Sequence, residues 1–330
     1  MRCEFEDKLF TVDAAGFEAL AIEVFRFQAT HNPVYAQFVR ALQVDPQQVS
    51  STAQIPFLPI QTFKTHKVLT AGSDTDFYFE SSGTTQTVQS RHFVRDLEIY
   101  RKSFLEAFKQ FYGSPSDWVI LGLLPSYLER KNSSLVMMVD ALIRLSGKAE
   151  SGFYLDEHRQ LSELLKQLEI NGRKTMLIGV AFGLLDFAAQ YPADLRHTTV
   201  METGGMKGRR KELIRDELHA ILKEAFQVST IHSEYGMTEL LSQAYSKNDG
   251  LFETPQWMRV YVRPEDDPFQ QLFSREKAVT GLINIIDLAN VYSCSFIATE
   301  DVGRVHPDGR FEVLGRVDNS DIRGCSLLVM

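Results

Sequence analysis

The sequence predicts an α/β protein with a helical N-terminal segment, a body of parallel strands flanked by helices, and a small β-rich C-terminal part. Three patterns predict it. Apolar residues recur at helical spacing through the first segment, strand-like and helix-like runs alternate through the middle, and short strands broken by turns follow Trp257. The corresponding segments are 1–70, 71–255 and 256–330.

In the first segment Phe17, Leu20, Ala21, Val24 and Phe27 follow Asp13 at helical spacing, and Pro33 opens a second helix carrying Tyr35, Phe38, Val39 and Leu42. The two prolines of Ile55-Pro56-Phe57-Leu58-Pro59 exclude helix and predict an extended connector. A strand at Phe77–Phe79 then runs into the small-residue loop Ser81-Ser82-Gly83-Thr84-Thr85. The loop is predicted to lead into a helix bearing Phe93, Leu97, Tyr100, Phe104, Phe108 and Phe111.

Strands are predicted at Trp118–Leu123, Thr175–Val180, Thr198–Met201 and Gln227–Ile231. Amphipathic helices separate them, one with Leu161, Leu164, Leu165 and Leu168, another with Ile214, Leu218, Ile221 and Leu222. Such alternation builds βαβ units, whose crossover helices cover both faces of a parallel sheet. The last segment predicts strands at Trp257–Val262, Gly281–Leu288, Ser295–Thr299 and Phe311–Leu314, with a turn at Pro307-Asp308-Gly309.

Composition excludes several classes of partner. A net charge of −8 opposes binding to a phosphate backbone, which needs clustered Lys and Arg, so no nucleic-acid partner is expected. The longest apolar stretch, Met176–Leu185, stops at Asp186 and is too short to span a bilayer. Acidic residues at Glu4, Glu6 and Asp7 argue against a signal peptide. Cys3, Cys294 and Cys325 have no spacing that signals a disulfide framework or a zinc site. Together these features imply a cytoplasmic protein with free thiols that binds a small molecule.

Three motifs carry chemistry. The Ser81–Thr85 loop offers hydroxyls and backbone N–H groups suited to phosphate oxygens, although such loops are also ordinary turns. His232-Ser233-Glu234-Tyr235-Gly236-Met237-Thr238-Glu239 places an aromatic, a glycine, a hydroxyl and a carboxylate just after an apolar strand, where ligands of α/β sheets bind. Its plainer reading is a polar loop that starts a helix with Thr238 and Glu239 in the first turn. Third come Ala298-Thr299-Glu300-Asp301, Gly315-Arg316-Val317-Asp318 and Arg323-Gly324-Cys325, which alone read as acidic turns.

The order of these motifs resembles that of adenylate-forming enzymes, a superfamily that includes acyl-CoA synthetases, luciferases and phenylacetate-CoA-ligase-like proteins. The likeness covers most of the chain. It is strongest to the LuxE-type acyl-protein synthetases, through Ile55–Pro59, the segment Glu202-Thr203-Gly204-Gly205-Met206-Lys207-Gly208-Arg209, and the terminal Arg323-Gly324-Cys325.

The resemblance implies the large-domain fold of that superfamily and a reaction of a fatty or aryl acid with ATP to give acyl-AMP and pyrophosphate. Ser81, Ser82, Gly83, Thr84 and Thr85 would hold the β- and γ-phosphates. Tyr235 would stack on adenine beside Gly236, with Thr203, Gly204 and Gly205 lining the same pocket. Thr238 would contact the α-phosphate, and Glu239 would hold Mg²⁺. Asp301 would accept the ribose hydroxyls, and Arg316 would contact ribose or phosphate.

Cys325 stands where the family's acyl-accepting cysteine lies, so it would take the acyl group and pass it to an acceptor protein, such as a reductase or an acyl carrier protein. Cys294, in a strand-like run, is expected to be structural. Two departures from the superfamily pattern stand out. Gln86 replaces the glycine that usually follows the phosphate loop. The sequence also runs only to Met330, so the mobile C-terminal lid domain with its catalytic lysine is expected to be absent. These departures keep two alternatives open: a ligase using coenzyme A or a carrier as external thiol, and a non-catalytic nucleotide-binding relative.

Overall fold

Two sheets meet at one hydrophobic core, and their meeting line positions the site. The computed structural model describes residues 5–73, 75–81, 88–124, 132–154, 157–204 and 213–317. The chain opens with α1 (Glu6–Leu9), α2 (Phe17–His31) and α3 (Pro33–Ala41). Asn32 divides α2 from α3 by accepting from the Val34 and Tyr35 N–H groups at 3.1 Å. Pro33 takes the first helical position, where no N–H is needed.

The expected connector contains β1 (Leu58–Pro59), which is followed by α4 (Thr62–Thr65). Next comes an antiparallel hairpin of β2 (Tyr78–Glu80) and β3 (Arg91–Phe93). The sequence pattern carried the next helix back to Phe93, but Phe93 pairs with Tyr78 in this hairpin. The helix α5 (Leu97–Tyr112) starts only after Asp96, whose carboxylate accepts from the Glu98 N–H at 2.9 Å. Gly113, at φ 81, ends it. The Ser81–Thr85 motif therefore falls between β2 and β3 in the chain, not between a strand and a helix.

The central body runs β4 (Val119–Leu123), α6 (Ser134–Ser146), β5 (Gly152–Phe153), α7 (His158–Ile170), β6 (Thr175–Gly179), α8 (Ala181–Gln190), β7 (Thr198–Glu202), α9 (Arg215–Phe226), β8 (His232–Tyr235) and β9 (Ala244–Ser246). The sheet order is β5-β4-β6-β7-β8-β9, parallel as far as β8, with β9 antiparallel. β4 and β6 are buried along their whole lengths, which is why they read as unbroken apolar runs. Each buried Leu or Ile contributes about 1.5–3 kcal/mol.

The expected strand Gln227–Ile231 is not the one that forms. Gln227 takes a left-handed φ of 50 and closes α9, and β8 begins at His232, inside the motif. Its polar residues Ser233 and Glu234 are buried, so hydrophobic pattern could not mark it as a strand.

The last part forms β10 (Leu251–Phe252), β11 (Met258–Arg263), β12 (Val279–Asp287), β13 (Phe296–Val305) and β14 (Phe311–Arg316) in the order β10-β14-β13-β12-β11. β1 joins in parallel, with Leu58 opposite Ile297 and Pro59 opposite Ala298. β13 is longer than the sequence predicted, so Asp301 lies inside a strand opposite Arg316 and not in a turn. The N-terminal helices share the core of this sheet. The Gln28 amide donates to the Asn290 and Val291 carbonyls at 2.9 Å, and its oxygen accepts from the Ser295 N–H at 3.0 Å. Among the described residues no helix is long and apolar enough to cross a membrane.

Candidate active site

The parallel strands β6, β7 and β8 end together, and the second motif leaves the sheet at that edge. Ligands of open α/β sheets bind at such carboxyl ends, because adjoining loops splay apart there. Glu202, the last residue of β7, is buried; its carboxylate accepts from the Gly204 N–H at 2.6 Å and faces Arg215 Nε at 3.3 Å and His219 Nε2 at 3.6 Å. Burial alone would raise its pKa, but the His219, Arg215, Ser233 and Gly204 contacts outweigh it and hold the group below the usual carboxylate range. Gly204 turns there at φ 70, and the Thr203 N–H donates to the Gly179 carbonyl at 3.0 Å. Arg215 also donates to the Val313 carbonyl at 2.9 Å, tying this edge to β14.

Tyr235 ends β8. Its ring is buried edge-on against Phe252 and Phe311, and its hydroxyl donates to Asp301 Oδ2 at 2.8 Å. Burial, then the Asp301 carboxylate, push the phenol well above its ordinary pKa. Opposite Asp301, Arg316 donates to Glu300 Oε2 at 2.9 Å, and Glu300 also accepts from the Gln61 amide. Burial works against the guanidinium charge, but Glu300, Asp301 and Glu239 hold its pKa raised. Tyr235, Asp301, Arg316 and Glu239 therefore converge, although the first three come from two sheets and Glu239 from the segment after β8.

Thr238 and Glu239 do not start a helix. They lie in a turn where the Leu240 N–H donates to the Met237 carbonyl at 3.0 Å. Three residues outside the motifs hold this turn. His92 of β3 donates from Nδ1 to the Thr238 carbonyl at 2.8 Å, and Asn290 donates from Nδ2 to the Glu239 carbonyl at 2.8 Å. Asp287, at the end of β12, accepts from the Leu241 N–H at 2.8 Å, the Ser242 N–H at 3.0 Å and the Ser242 hydroxyl at 2.6 Å.

Burial raises Asp287 to about 6 despite these bonds. Burial also lowers His92 to about 4, so its imidazole is neutral near pH 7. None of the three was identified in advance, because the partner of each is distant in sequence. For Asp287 and Asn290, a polar residue between apolar neighbours was the available signal.

The His92 contact matters for the first motif, because β3 is one arm of the hairpin that carries the Ser-Gly-Thr loop. Ser81 closes the hairpin neck: its N–H donates to the Ser90 carbonyl at 3.1 Å, and its hydroxyl accepts from the Ser90 N–H at 3.0 Å. Thr238 and the hairpin are thus fastened together. Ser82, Gly83, Thr84, Thr85, Gly205 and Cys325 lie outside the described residues.

Cys294 is fully buried just before β13, its thiol bonded to the Phe296 carbonyl at 3.3 Å and pushed up by burial to about 12. It is a core filler and no nucleophile near neutral pH. A surface cavity of about 440 Å³ lies away from the strand ends, between α1 and the start of α5, with Glu6, Asp7, Arg95 and Lys102 in its wall. It shares no residue with the motifs.

The family model for acyl-protein synthetase, LuxE, matches residues 13–330. A search of curated proteins by sequence gives no significant match. Among solved structures, the chain is similar to 2-hydroxyisobutyryl-CoA ligase in complex with 2-HIB-AMP and CoA, at 14% identity and a TM-score of 0.65, covering 95% of this chain and 71% of that one. It is also similar to the luciferase-like enzyme of the nonluminescent mealworm Zophobas morio, at 14% identity and a TM-score of 0.50, covering 84% of this chain and 62% of that one. At such identities these structures speak for the fold, which is the α/β fold of adenylate-forming enzymes. The chain belongs to the LuxE acyl-protein synthetase family.

Proposed function

We propose that this enzyme activates a carboxylic acid with ATP and then carries the acyl group on its own Cys325. The observation that supports this most is the junction of Tyr235, Asp301, Arg316 and Glu239 at the carboxyl ends of the parallel strands. A carboxylate oxygen of the acid attacks the α-phosphorus, the α–β phosphoanhydride bond breaks, and pyrophosphate leaves. Attack brings negative charges together, so preorganised cationic and hydrogen-bonding groups lower the barrier.

Asp301 accepts the ribose hydroxyls in this reading, and Arg316 faces ribose or phosphate. Thr238 meets the α-phosphate, the ring of Tyr235 borders the base beside Gly236, and the Ser81–Thr85 loop holds the outer phosphates. Glu239 offers one carboxylate, which suits Mg²⁺ when nucleotide phosphates and water supply its other oxygens. When bound, the ion would screen the polyphosphate charge.

In the second step the Cys325 thiolate attacks the acyl carbon, the bond to the AMP oxygen breaks, and a thioester forms as AMP leaves. The thioester then passes to an acceptor protein, such as a reductase or an acyl carrier protein, in a reducing cytoplasm. Acid-dependent ATP–pyrophosphate exchange tests the first step. Incubation with ATP and a competent acid should also label the protein with a thioester that neutral hydroxylamine releases. Cys325→Ser should keep exchange and lose the label. Efficient transfer to coenzyme A with no self-labelling would replace Cys325 by an external thiol, and nucleotide binding without exchange for any acid would remove the activity altogether.

A further inference from the structure

Glu234 immediately precedes Tyr235 on β8, so the two side chains face opposite sides of the sheet. Tyr235 turns toward Asp301, and Glu234 turns toward Tyr100 and Tyr112 of α5 and Tyr245 of β9. Burial, followed by this neighbouring carboxyl, raises all three phenols. None of them donates to it. The Tyr100 hydroxyl donates to the Ser134 carbonyl at 2.8 Å, that of Tyr112 meets His232 Nδ1 at 3.1 Å, and that of Tyr245 points to Met138 Sδ at 3.9 Å.

Glu234 is only 9% exposed, yet among the described residues no hydrogen bond or ion pair reaches its carboxyl. Burial, then the charge of Glu202 nearby, raise it to about 8. Beside it Gln243 is 5% exposed, and its Oε1 is buried without a partner. Both groups border Gly236: a Cβ there would sit 2.5 Å from Glu234 Oε1 and 3.4 Å from Gln243 Cγ. A carboxyl without a hydrogen bond, protonated near neutral pH, and an unpartnered amide oxygen thus flank the glycine that precedes Met237 and Thr238.

An unsatisfied buried polar group costs roughly 1–3 kcal/mol, so folds seldom retain two adjacent ones without a ligand or water to complete them. A hydrocarbon tail placed there would leave both groups unpaired. A hydroxyl or amino group would donate to Gln243 Oε1, and a hydroxyl would also accept from the protonated Glu234 carboxyl. Sites built in this way reject the analogue that lacks the donor far more strongly than apolar pockets discriminate by size.

We propose that Glu234 and Gln243 determine acid specificity, selecting a carboxylic acid that bears a hydrogen-bond donor, hydroxyl or amino, over its plain hydrocarbon counterpart. This rests on the adenylation reading for the position of the acid beside Thr238.

The test is calorimetric titration of the full chain with matched pairs: hexanoate against 6-hydroxyhexanoate and 6-aminohexanoate, and benzoate against 3-hydroxy-, 4-hydroxy- and 4-aminobenzoate. At least one donor-bearing acid should bind tenfold or more tightly than its plain partner. That ratio should fall toward one in both Glu234→Leu and Gln243→Leu, with thermal melting confirming that each variant folds. Equal binding within every pair, as expected if ordered water completes the two groups, overturns the proposal. So does no binding of any acid, or a ratio unchanged in both variants.

Acid-dependent pyrophosphate exchange with the same acids separates the two readings. Selective binding without exchange for any acid would sink adenylation and leave the selectivity standing. Exchange with no preference within any pair would do the reverse.

Discussion

The Tyr235 hydroxyl donates to Asp301 Oδ2 at 2.8 Å, joining the end of a parallel strand in one sheet to the interior of an antiparallel strand in the other. The bond fixes the Asp301 carboxylate beside Arg316 and Glu239. It also explains why a tyrosine serves here: the ring fills the junction against Phe252 and Phe311, and the hydroxyl orients the acid.

Asp301→Ala should raise the KM for ATP more than it lowers kcat, since a ribose contact is made in ground and transition states alike. It also strands the buried phenol, at a cost of about 1–3 kcal/mol. Tyr235→Phe keeps the carboxylate and should raise KM less. Steady-state kinetics with denaturant melts check both, and an unchanged KM in Asp301→Ala would mean that Asp301 only anchors Tyr235.

If Glu239 holds the cation, Glu239→Ala should abolish pyrophosphate exchange while the fold survives, because the polyphosphate charge is then left unscreened. The loss should exceed a hundredfold, about 2.7 kcal/mol in the barrier. Wild-type exchange in a variant that melts normally would take Glu239 out of the site.

Asp287→Ala removes the acceptor for the Leu241, Ser242 and Ala289 N–H groups together. Leaving several buried donors unsatisfied should cost about 3 kcal/mol or more, read as a lower urea midpoint. Exchange should fall as well, since Asp287 and Asn290 hold the turn that presents Thr238 and Glu239. Asp287→Asn, which keeps one acceptor oxygen, should fall between wild type and Asp287→Ala on both measures.

Two buried groups give opposite pH dependences of stability. His92 takes up a proton near pH 4 in the fold but near 6.5 when unfolded, so its contribution is present above 6.5 and lost as pH falls toward 4. Glu234 keeps its proton up to about pH 8 in the fold but only to about 4.5 when unfolded, so stability falls as pH rises between those values. Each shift corresponds to at most about 1.4 kcal/mol per pH unit of window. In urea melts from pH 4 to 9, His92→Gln should lose least at the acid end, and Glu234→Gln should gain on wild type as pH rises. Curves parallel to wild type in either variant would contradict the corresponding assignment.

The alternation of apolar runs marked β4, β6 and β7 of the parallel body without help from tertiary structure. Strands such as Val119–Leu123 and Thr175–Gly179 are buried on both faces and so must be apolar throughout. The motif order was legible only through its resemblance to a known family, since each motif by itself reads as an ordinary polar turn. Tertiary structure alone decided that His232–Tyr235 is a strand, because its polar side chains are buried against partners far along the chain: Ser233 against His219, Tyr235 against Asp301. The same holds for His92, Asp287 and Asn290, whose hydrogen bonds to the Thr238–Ser242 turn span long stretches of sequence. Local pattern records which face of an element meets the core. Which distant polar group completes another depends on how the two sheets come together.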